Sequence, residues 1–242
     1  MKNILSISLI FIFAIQVAFA QEVDRTKRPA AGEARTPEIG NATSFVLDNG
    51  LKIFVVENSK LPRVSMSLIM DGGPIYEGDK AGYMQMAGEL MRAGTANKTK
   101  AELDEQVDFM GARLSVSSGS VFVSSLSKYT EDMMGIMADV VLNPAFNEEE
   151  FAKIKTQMLS GIESSKDDPN SINAQVYNAL AYGKDNAFGE FITEETVNNA
   201  SVEDCKALYN SYWKPNISYI AIVGDIKAKK AKKMVEQYLG AW

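Results

Sequence analysis

Few side chains in this sequence could carry out chemistry. The 242 residues include no histidine and a single cysteine, Cys205. Without imidazole the chain cannot operate a Ser-His-Asp or Cys-His relay, and it cannot form the usual histidine-ligated zinc site. One cysteine also excludes an intrachain disulfide, so Cys205, on an amphipathic helix, is predicted to be a small buried hydrophobe. Asp167 and Asp168 could act as a carboxylate pair, but Pro169 directly after them favours a helix terminus.

The charge balance argues against nucleic acid as a partner. Lysine and arginine total 25, aspartate and glutamate total 31, and the formal net charge is -6. A phosphate backbone is repelled by that balance on average, and no basic stripe reverses it. With 46% hydrophobic and 23% charged residues, the composition is that of an ordinary globular protein rather than a disordered or fibrous one.

The amino terminus has the pattern of a secretory signal peptide. Lys2 precedes an apolar run over residues 4–15, and Ala18-Phe19-Ala20 places small residues where a signal peptidase reads before Gln21. A transmembrane anchor is the alternative, but it needs about 20 apolar residues, and polar residues interrupt this shorter run. Residues 1–20 are therefore predicted to be removed, which leaves no membrane span and places the mature chain in the periplasm.

The mature chain divides into a polar arm and one folded domain. Residues 21–43 combine prolines, glycines and basic residues, a composition that cannot bury a core. Over 44–242, hydrophobic periodicity predicts three strands, helices, two strands, several helices, a strand and a final helix. This order favours an α+β domain with one mixed, mostly antiparallel sheet and helices packed on one face.

Several short motifs follow one another in a characteristic order over residues 44–242. They include Leu47-Asp48-Asn49-Gly50-Leu51, Lys80-Ala81-Gly82, Gly94-Thr95, Asp167-Asp168-Pro169, Trp213-Lys214-Pro215-Asn216 and Val223-Gly224-Asp225. Their order and spacing, rather than any one of them, resemble the insulinase and mitochondrial-processing-peptidase family of zinc peptidases. The resemblance implies a processing-peptidase-like domain of the inverzincin type, expected to be the first of two or more in the full protein.

The metal-binding motif of that family is altered here. In the family, the helix after Lys-Ala-Gly carries His-x-x-Glu-His, in which two imidazoles bind Zn²⁺ and the glutamate is the general base for a zinc-bound water. Counting from the flanking Lys-Ala-Gly and Gly-Thr motifs places the first ligand at Gln85, the base at Gly88 and the second ligand at Glu89. The third ligand, a glutamate in the family, falls on Gly161, or on Ser160 if the register is off by one.

These replacements argue against a metal site and against peptidase activity. Gln85 and Glu89 keep the i, i+4 spacing, but a neutral amide is a poor zinc ligand and two donors do not make a stable site. With glycine at position 88, a metal-bound water would lack its proton acceptor. The simpler interpretation is that Gln85 and Glu89 are polar residues on a partly buried helix. We expect no cofactor and no activity in this chain alone, with zinc only in a catalytic partner.

Peptide binding does not depend on the altered residues. In the family, the strand that matches residues 113–118 is an edge to which substrate peptide adds as a further strand. The resemblance therefore implies extended peptides as ligands, contacted by Leu114, Ser115, Val116 and Ser117. Such β-augmentation derives its affinity from main-chain hydrogen bonds. The alternative is an edge strand that a neighbouring element covers.

The resemblance and the replacements together lead to one main functional hypothesis. The chain is expected to be a non-catalytic subunit or half of a periplasmic zinc metallopeptidase. It would supply chamber wall, peptide contacts and interface to a catalytic insulinase-family subunit or to a second domain of the same polypeptide. The alternative is a structural scaffold or peptide-binding protein with the same fold and no proteolytic partner. An active metallopeptidase that uses carboxylates alone ranks last.

Overall fold

Over residues 42–242, alternation of apolar and polar side chains produces six strands that pair into one sheet. The computed structural model describes Gly32 and residues 42–242. The predicted signal peptide, 1–20, lies outside the described residues, as does nearly all of the predicted arm, 21–43. The strands are β1 (Thr43–Val46), β2 (Lys52–Glu57), β3 (Arg63–Met70), β4 (Arg113–Ser117), β5 (Ser120–Leu126) and β6 (Ser218–Gly224).

The sheet is mixed and mostly antiparallel. Its strand order is β1-β2-β6-β3-β5-β4, so β1 and β4 form the two edges. One pair, β2 with β6, is parallel, with Ile53 opposite Ile220, and the other four pairs are antiparallel. The Asn49-Gly50 hairpin joins β1 to β2, and Gly50 adopts φ +90°, a conformation that glycine accepts readily.

The two faces of the sheet differ in composition and in burial. On one face, Ile53, Ile220, Leu68 and Val121 stand side by side across four strands and are fully buried. On the other face, the next row of the register, Phe54, Ala221, Ser67 and Phe122, is at most half-buried. Apolar burial therefore takes place on one side, where the helices pack. This arrangement confirms the predicted α+β class.

Eight α-helices lie among the described residues. They are α1 (Tyr83–Arg92), α2 (Lys100–Phe109), α3 (Thr130–Leu142), α4 (Glu148–Ser165), α5 (Pro169–Tyr182), α6 (Glu194–Asn199), α7 (Val202–Tyr212) and α8 (Ala228–Leu239). Within the described part of the chain, no helix has both the length and the apolar character that crossing a membrane requires.

Short polar motifs begin several of these helices. Thr99 and Glu102 form a capping box at α2, in which each side chain accepts the main-chain N–H of the other. Asp168 accepts the N–H groups of Asn170 and Ser171 and so caps α5. The two adjacent aspartates therefore mark a helix terminus, as predicted, and not a catalytic carboxylate pair. Cys205, also as predicted, is fully buried.

Candidate functional site

Helix α1 carries three of the four positions that the family uses for metal and catalysis. Its inner face is fixed in the core by Met86, Leu90 and Met91, which are almost completely buried. Gln85 is exposed and Glu89 is half-buried on the opposite side. The Gln85 Nε2 atom donates a hydrogen bond of 2.9 Å to Glu89 Oε1. The two residues at the ligand positions thus bind each other, which is the arrangement expected of polar residues on a partly buried helix.

Two carboxylates, those of Glu77 and Glu190, accept hydrogen bonds from main-chain N–H groups at and before the start of α1. Glu77 accepts hydrogen bonds from the N–H groups of Gly82 and Met84, at 3.0 and 2.8 Å. Glu190 in turn accepts from the N–H groups of Glu77 and Gly78. Burial raises the pKa of the Glu77 carboxyl above its ordinary value, although the N–H groups of Met84 and Gly82 act to lower it. The bonds to Glu77 pair main-chain donors at the start of α1 that have no partner within the helix. Glu77 therefore has a structural role.

The third ligand position lies on α4, facing α1 across a cavity. Gln85, Glu89 and Gly161 all line this cavity, whose volume is about 400 Å³. A Cβ atom added at Gly161 would meet no atom within 4 Å. Ser160 does not line the cavity, and its hydroxyl donates to the Thr156 carbonyl instead. Of the two residues considered for the third ligand position, Gly161 therefore lies beside the same cavity as Gln85 and Glu89, and Ser160 does not.

The base position is enclosed by the end of β4. A Cβ atom added at Gly88 would lie 2.4 Å from both the carbonyl carbon of Ser117 and the nitrogen of Ser118. Real Cβ atoms do not approach other atoms so closely, so α1 can pack here only because residue 88 has no side chain. The space that a general base would need is filled by main chain.

The residues present do not fit a zinc ion. The three positions that match the family's ligands offer one amide and one carboxylate, already hydrogen-bonded to each other, and a glycine. Zinc in proteins needs at least three nitrogen, sulfur or carboxylate ligands. Among residues 42–242, no group of three histidine, cysteine, aspartate or glutamate side chains is placed to hold a metal. We therefore derive no chemistry through zinc for this chain.

The predicted peptide-binding residues lie on an edge strand that borders the same region. β4 is the last strand of the sheet, with Ser115 and Ser117 exposed and Val116 half-buried. The side chain of Leu114 is buried in the core, so this residue can offer a peptide its main chain only. A second cavity of about 480 Å³ is lined by Val116 and Ser117 together with Gln85 and Glu89 on α1. The edge strand and the altered motif thus share one surface.

Helix α5 is a feature that the sequence did not single out. Within the described part of the chain, none of its 14 residues is buried, and none of them is charged. Ile172, Val176 and Leu180, spaced four residues apart, form an exposed apolar ridge, and Leu180 is 83% exposed. Gln175, on the same helix, lines the cavity that contains Gly161. The absence of charge was readable from the sequence, but the absence of burial was not.

Comparison with known families identifies the class of protein that this two-layer fold and altered site belong to. Residues 52–192 match the family model described as insulinase, peptidase family M16, and residues 199–242 match the one described as the peptidase M16 inactive domain. The first match covers more than half of the chain, and the chain belongs to the insulinase family. The predicted resemblance is confirmed.

Similar proteins include uncharacterized zinc proteases and a mitochondrial cytochrome b-c1 complex subunit. An uncharacterized zinc protease of Rickettsia felis is 23% identical over 198 residues, which is 79% of this chain and 48% of the relative. Human cytochrome b-c1 complex subunit 1 is 23% identical over 244 residues, covering 92% of this chain and 50% of the relative. The chain spans about half the length of the curated relatives it matches.

Solved structures show the same fold. The crystal structure of the peptidase M16 inactive domain from Pseudomonas fluorescens has a TM-score of 0.74 and 23% identity, over 83% of this chain and 50% of that one. The periplasmic protease PqqL of Escherichia coli has a TM-score of 0.69 and 16% identity, over 85% of this chain and 24% of that one. The described residues therefore share the fold of these two structures.

Proposed function

We propose that this chain is the non-catalytic half of a periplasmic zinc metallopeptidase. The observation that carries the proposal is the main chain of Ser117 and Ser118, which fills the place of a general base beside Gly88. The match to the inactive domain and the coverage of only half of each relative support it. A second domain or subunit with an intact His-x-x-Glu-His motif would supply the metal and the chemistry.

The proposed contribution of this chain is to hold extended peptide along β4. An edge strand presents unpaired main-chain donors and acceptors, which an extended peptide can satisfy whatever its side chains are. β4 pairs with β5 on one side and ends the sheet on the other, and its exposed side chains at Ser115 and Ser117 are small. The adjoining cavity beside Val116 gives room for side chains of the peptide.

Peptide addition to β4 can be tested with backbone-modified ligands. A fluorescent, unstructured peptide of about ten residues is titrated with the purified chain, in parallel with the same peptide N-methylated at every second residue. Two methylated versions, offset by one residue, cover both registers of pairing. Because the proposed affinity comes from main-chain bonds, at least one methylated peptide should bind at least tenfold more weakly. Equal affinity for all three peptides would contradict binding by strand addition.

The surface proposed to meet the catalytic partner is α5. Interfaces are depleted in charge at their centres, and α5 is an exposed, uncharged helix with an apolar ridge formed by Ile172, Val176 and Leu180. Gln175 on α5 lines the cavity with Gly161, and Gln85 and Glu89 line both this cavity and the one beside β4, so a partner docked on α5 would lie near the peptide edge. The relatives and solved structures are at least twice as long as the matched region, which points to a further domain of the same family as the occupant.

A pull-down from the native cell envelope tests the partnership. The tagged chain should recover a protein with His-x-x-Glu-His, and the recovered complex should hydrolyse peptides until a chelator removes its zinc. Leu180→Glu should abolish recovery of the partner. Phe109→Glu is the matched control, because Phe109 is equally exposed, at 82%, on α2. Equal recovery with both variants would exclude α5 as the interface, and hydrolysis with bound zinc by the purified chain alone would contradict the proposed function.

The periplasmic location rests on the signal-peptide pattern at residues 1–20 and on the periplasmic source of PqqL. Cell fractionation with amino-terminal sequencing tests it directly. The mature chain should appear in the periplasmic fraction and begin at Gln21. Retention of Met1 in the cytoplasmic fraction would contradict this part of the proposal.

A scaffold without proteolytic partner is the second candidate function. The observation in its favour is the similarity to cytochrome b-c1 complex subunit 1, which extends over 92% of this chain. In that case the chain should purify from its native envelope as a stable assembly in which no component carries His-x-x-Glu-His. The same pull-down therefore separates the two candidates.

A further inference from the structure

Two glycines stand at positions of the family's catalytic centre, and their surroundings are opposite. Both lie inside helices, Gly88 in α1 and Gly161 in α4. A Cβ atom at Gly161 would meet nothing within 4 Å, whereas one at Gly88 would lie 2.4 Å from two main-chain atoms of β4 and its turn. A side chain at position 161 would therefore have free space, whereas one at position 88 would collide with the main chain of β4 and its turn.

We propose that the positions matching the family's zinc ligands have room for a side chain, whereas the position matching its general base does not. The reason is that Gly88, which has no side chain, lets α1 pack against the end of β4. The inference deepens the proposed function, on which its biological meaning rests. Gly88 then has a present role as a positioning residue. Because Gly88 has no side chain, α1 can pack against β4, the edge strand that is proposed to receive peptide.

Neither side of the Gly88 contact can move away without loss. α1 is held by Met86, Leu90 and Met91 in the core, so a shift outward would expose buried apolar surface. The β4 end is paired with β5, where Ser117 stands opposite Ser120 and their hydroxyls are 2.8 Å apart. An atom inserted between them must therefore distort the helix or the hairpin.

The positions that match the zinc ligands, in contrast to Gly88, lie beside free space. Gln85, Glu89 and Gly161 line one cavity of about 400 Å³, and a Cβ atom at Gly161 would meet no atom within 4 Å. Gln85 and Glu89 lie one helical turn apart, the spacing at which two imidazoles can bind one zinc ion. Three ligands are enough for a zinc site. The closed base position leaves such a site without its proton acceptor.

The first test compares two glycine-to-alanine variants of the purified chain. Gly88→Ala should lower the Tm by about 5 °C, since overpacking outweighs the better helix propensity of alanine. Gly161→Ala, the matched control in an open site, should leave the Tm unchanged or raise it by about 2 °C. An equal response of the two variants would overturn the inference.

The second test rebuilds the centre in two steps. Gln85→His with Glu89→His and Gly161→Glu should bind about one zinc ion per chain, measured by elemental analysis, without peptide hydrolysis. Adding Gly88→Glu should lower the Tm and still give no hydrolysis. The inference is wrong if the threefold variant binds no zinc, or if the fourfold variant keeps its Tm and cleaves peptide. Partner recovery and peptide affinity are measured on the unaltered chain, so a failure of the proposed function would show separately.

Discussion

Helices α3 and α5 have almost the same length, 13 and 14 residues, but opposite environments. α3 lies between the sheet and α8, and eight of its side chains are buried, among them Met133, Met137 and Val141. α5 has a comparable apolar ridge and, within the described part of the chain, buries none of it. Apolar periodicity makes both segments helical, but only one of them has a partner here.

The difference separates residues that build the fold from residues that remain available. The core is complete without α5, because strands and the other helices already enclose the buried face of the sheet. The docking role proposed above would use this exposed, uncharged helix, which adds little to the core. Measurements of stability can test whether α3 builds the core while α5 adds little to it.

The largest expected effect is on the free energy of unfolding when a core side chain of α3 is truncated. Met137 is fully buried, so Met137→Ala should cost about 3 kcal/mol through lost burial and a cavity. Leu180→Ala on α5 removes a similar volume and should cost less than about 0.5 kcal/mol, because the side chain is already exposed. Denaturant unfolding measures both. A cost above about 1.5 kcal/mol for Leu180→Ala would show that α5 belongs to the core.

A smaller effect is expected from acid on the end of α3. Burial acts to raise the pKa of Asp139, but hydrogen bonds from Thr95, Asn143 and Asn97 outweigh it, and the pKa lies below its ordinary value of 3.8. The stabilisation is therefore present above about pH 4 and is lost as the pH falls through the folded-state pKa.

Asp139→Asn tests this pH dependence. The variant should be less stable than the parent by about 1–2 kcal/mol at pH 7, and the difference should shrink towards pH 3. Unfolding curves recorded between pH 7 and pH 3 measure it. A difference that does not change with pH would show that the charge of Asp139 contributes nothing.

The smallest global effect is expected at the cap of α5. Asp168 accepts hydrogen bonds from the main chain of Asn170 and Ser171 and from the Ser171 hydroxyl. Asp168→Ala should weaken the first turn of α5 by removing its cap, which accelerates amide hydrogen exchange in that helix. Exchange in α3 and the midpoint of global unfolding should remain nearly unchanged, since α5 opens locally. Equal acceleration in both helices would remove the distinction between them.

Local signals predicted most of the secondary structure. The capping box of Thr99 and Glu102 begins α2, and α3 ends at Leu142, two residues before Pro144, so local sequence features account for both helix ends. The edge strand predicted over residues 113–118 ends one residue earlier, at Ser117, and the short helix α6 was not predicted because its six residues carry too little periodicity. The order of strands and helices along the chain was also enough to predict the sheet class and its single covered face.

Contacts between distant segments could not be predicted in the same way. The parallel pairing of β2 with β6 joins residues more than 160 positions apart, and no local pattern specifies it. The sequence placed glycine at position 88 but could not show that Ser117 and Ser118 fill the space beside it. Likewise, the spacing of Ile172, Val176 and Leu180 predicts a helical stripe, whereas its exposure depends on which elements pack nearby.

The depth of Cys205 has a consequence for redox chemistry. Burial raises the pKa of its thiol to about 12, and its Sγ atom lies 3.7 Å from the Tyr83 carbonyl oxygen. A thiol attacks disulfides and oxidants as the thiolate, which is almost absent at neutral pH when the pKa is so high. In an oxidising compartment such as the proposed one, the folded chain can therefore keep a lone sulfhydryl without forming covalent dimers or mixed disulfides.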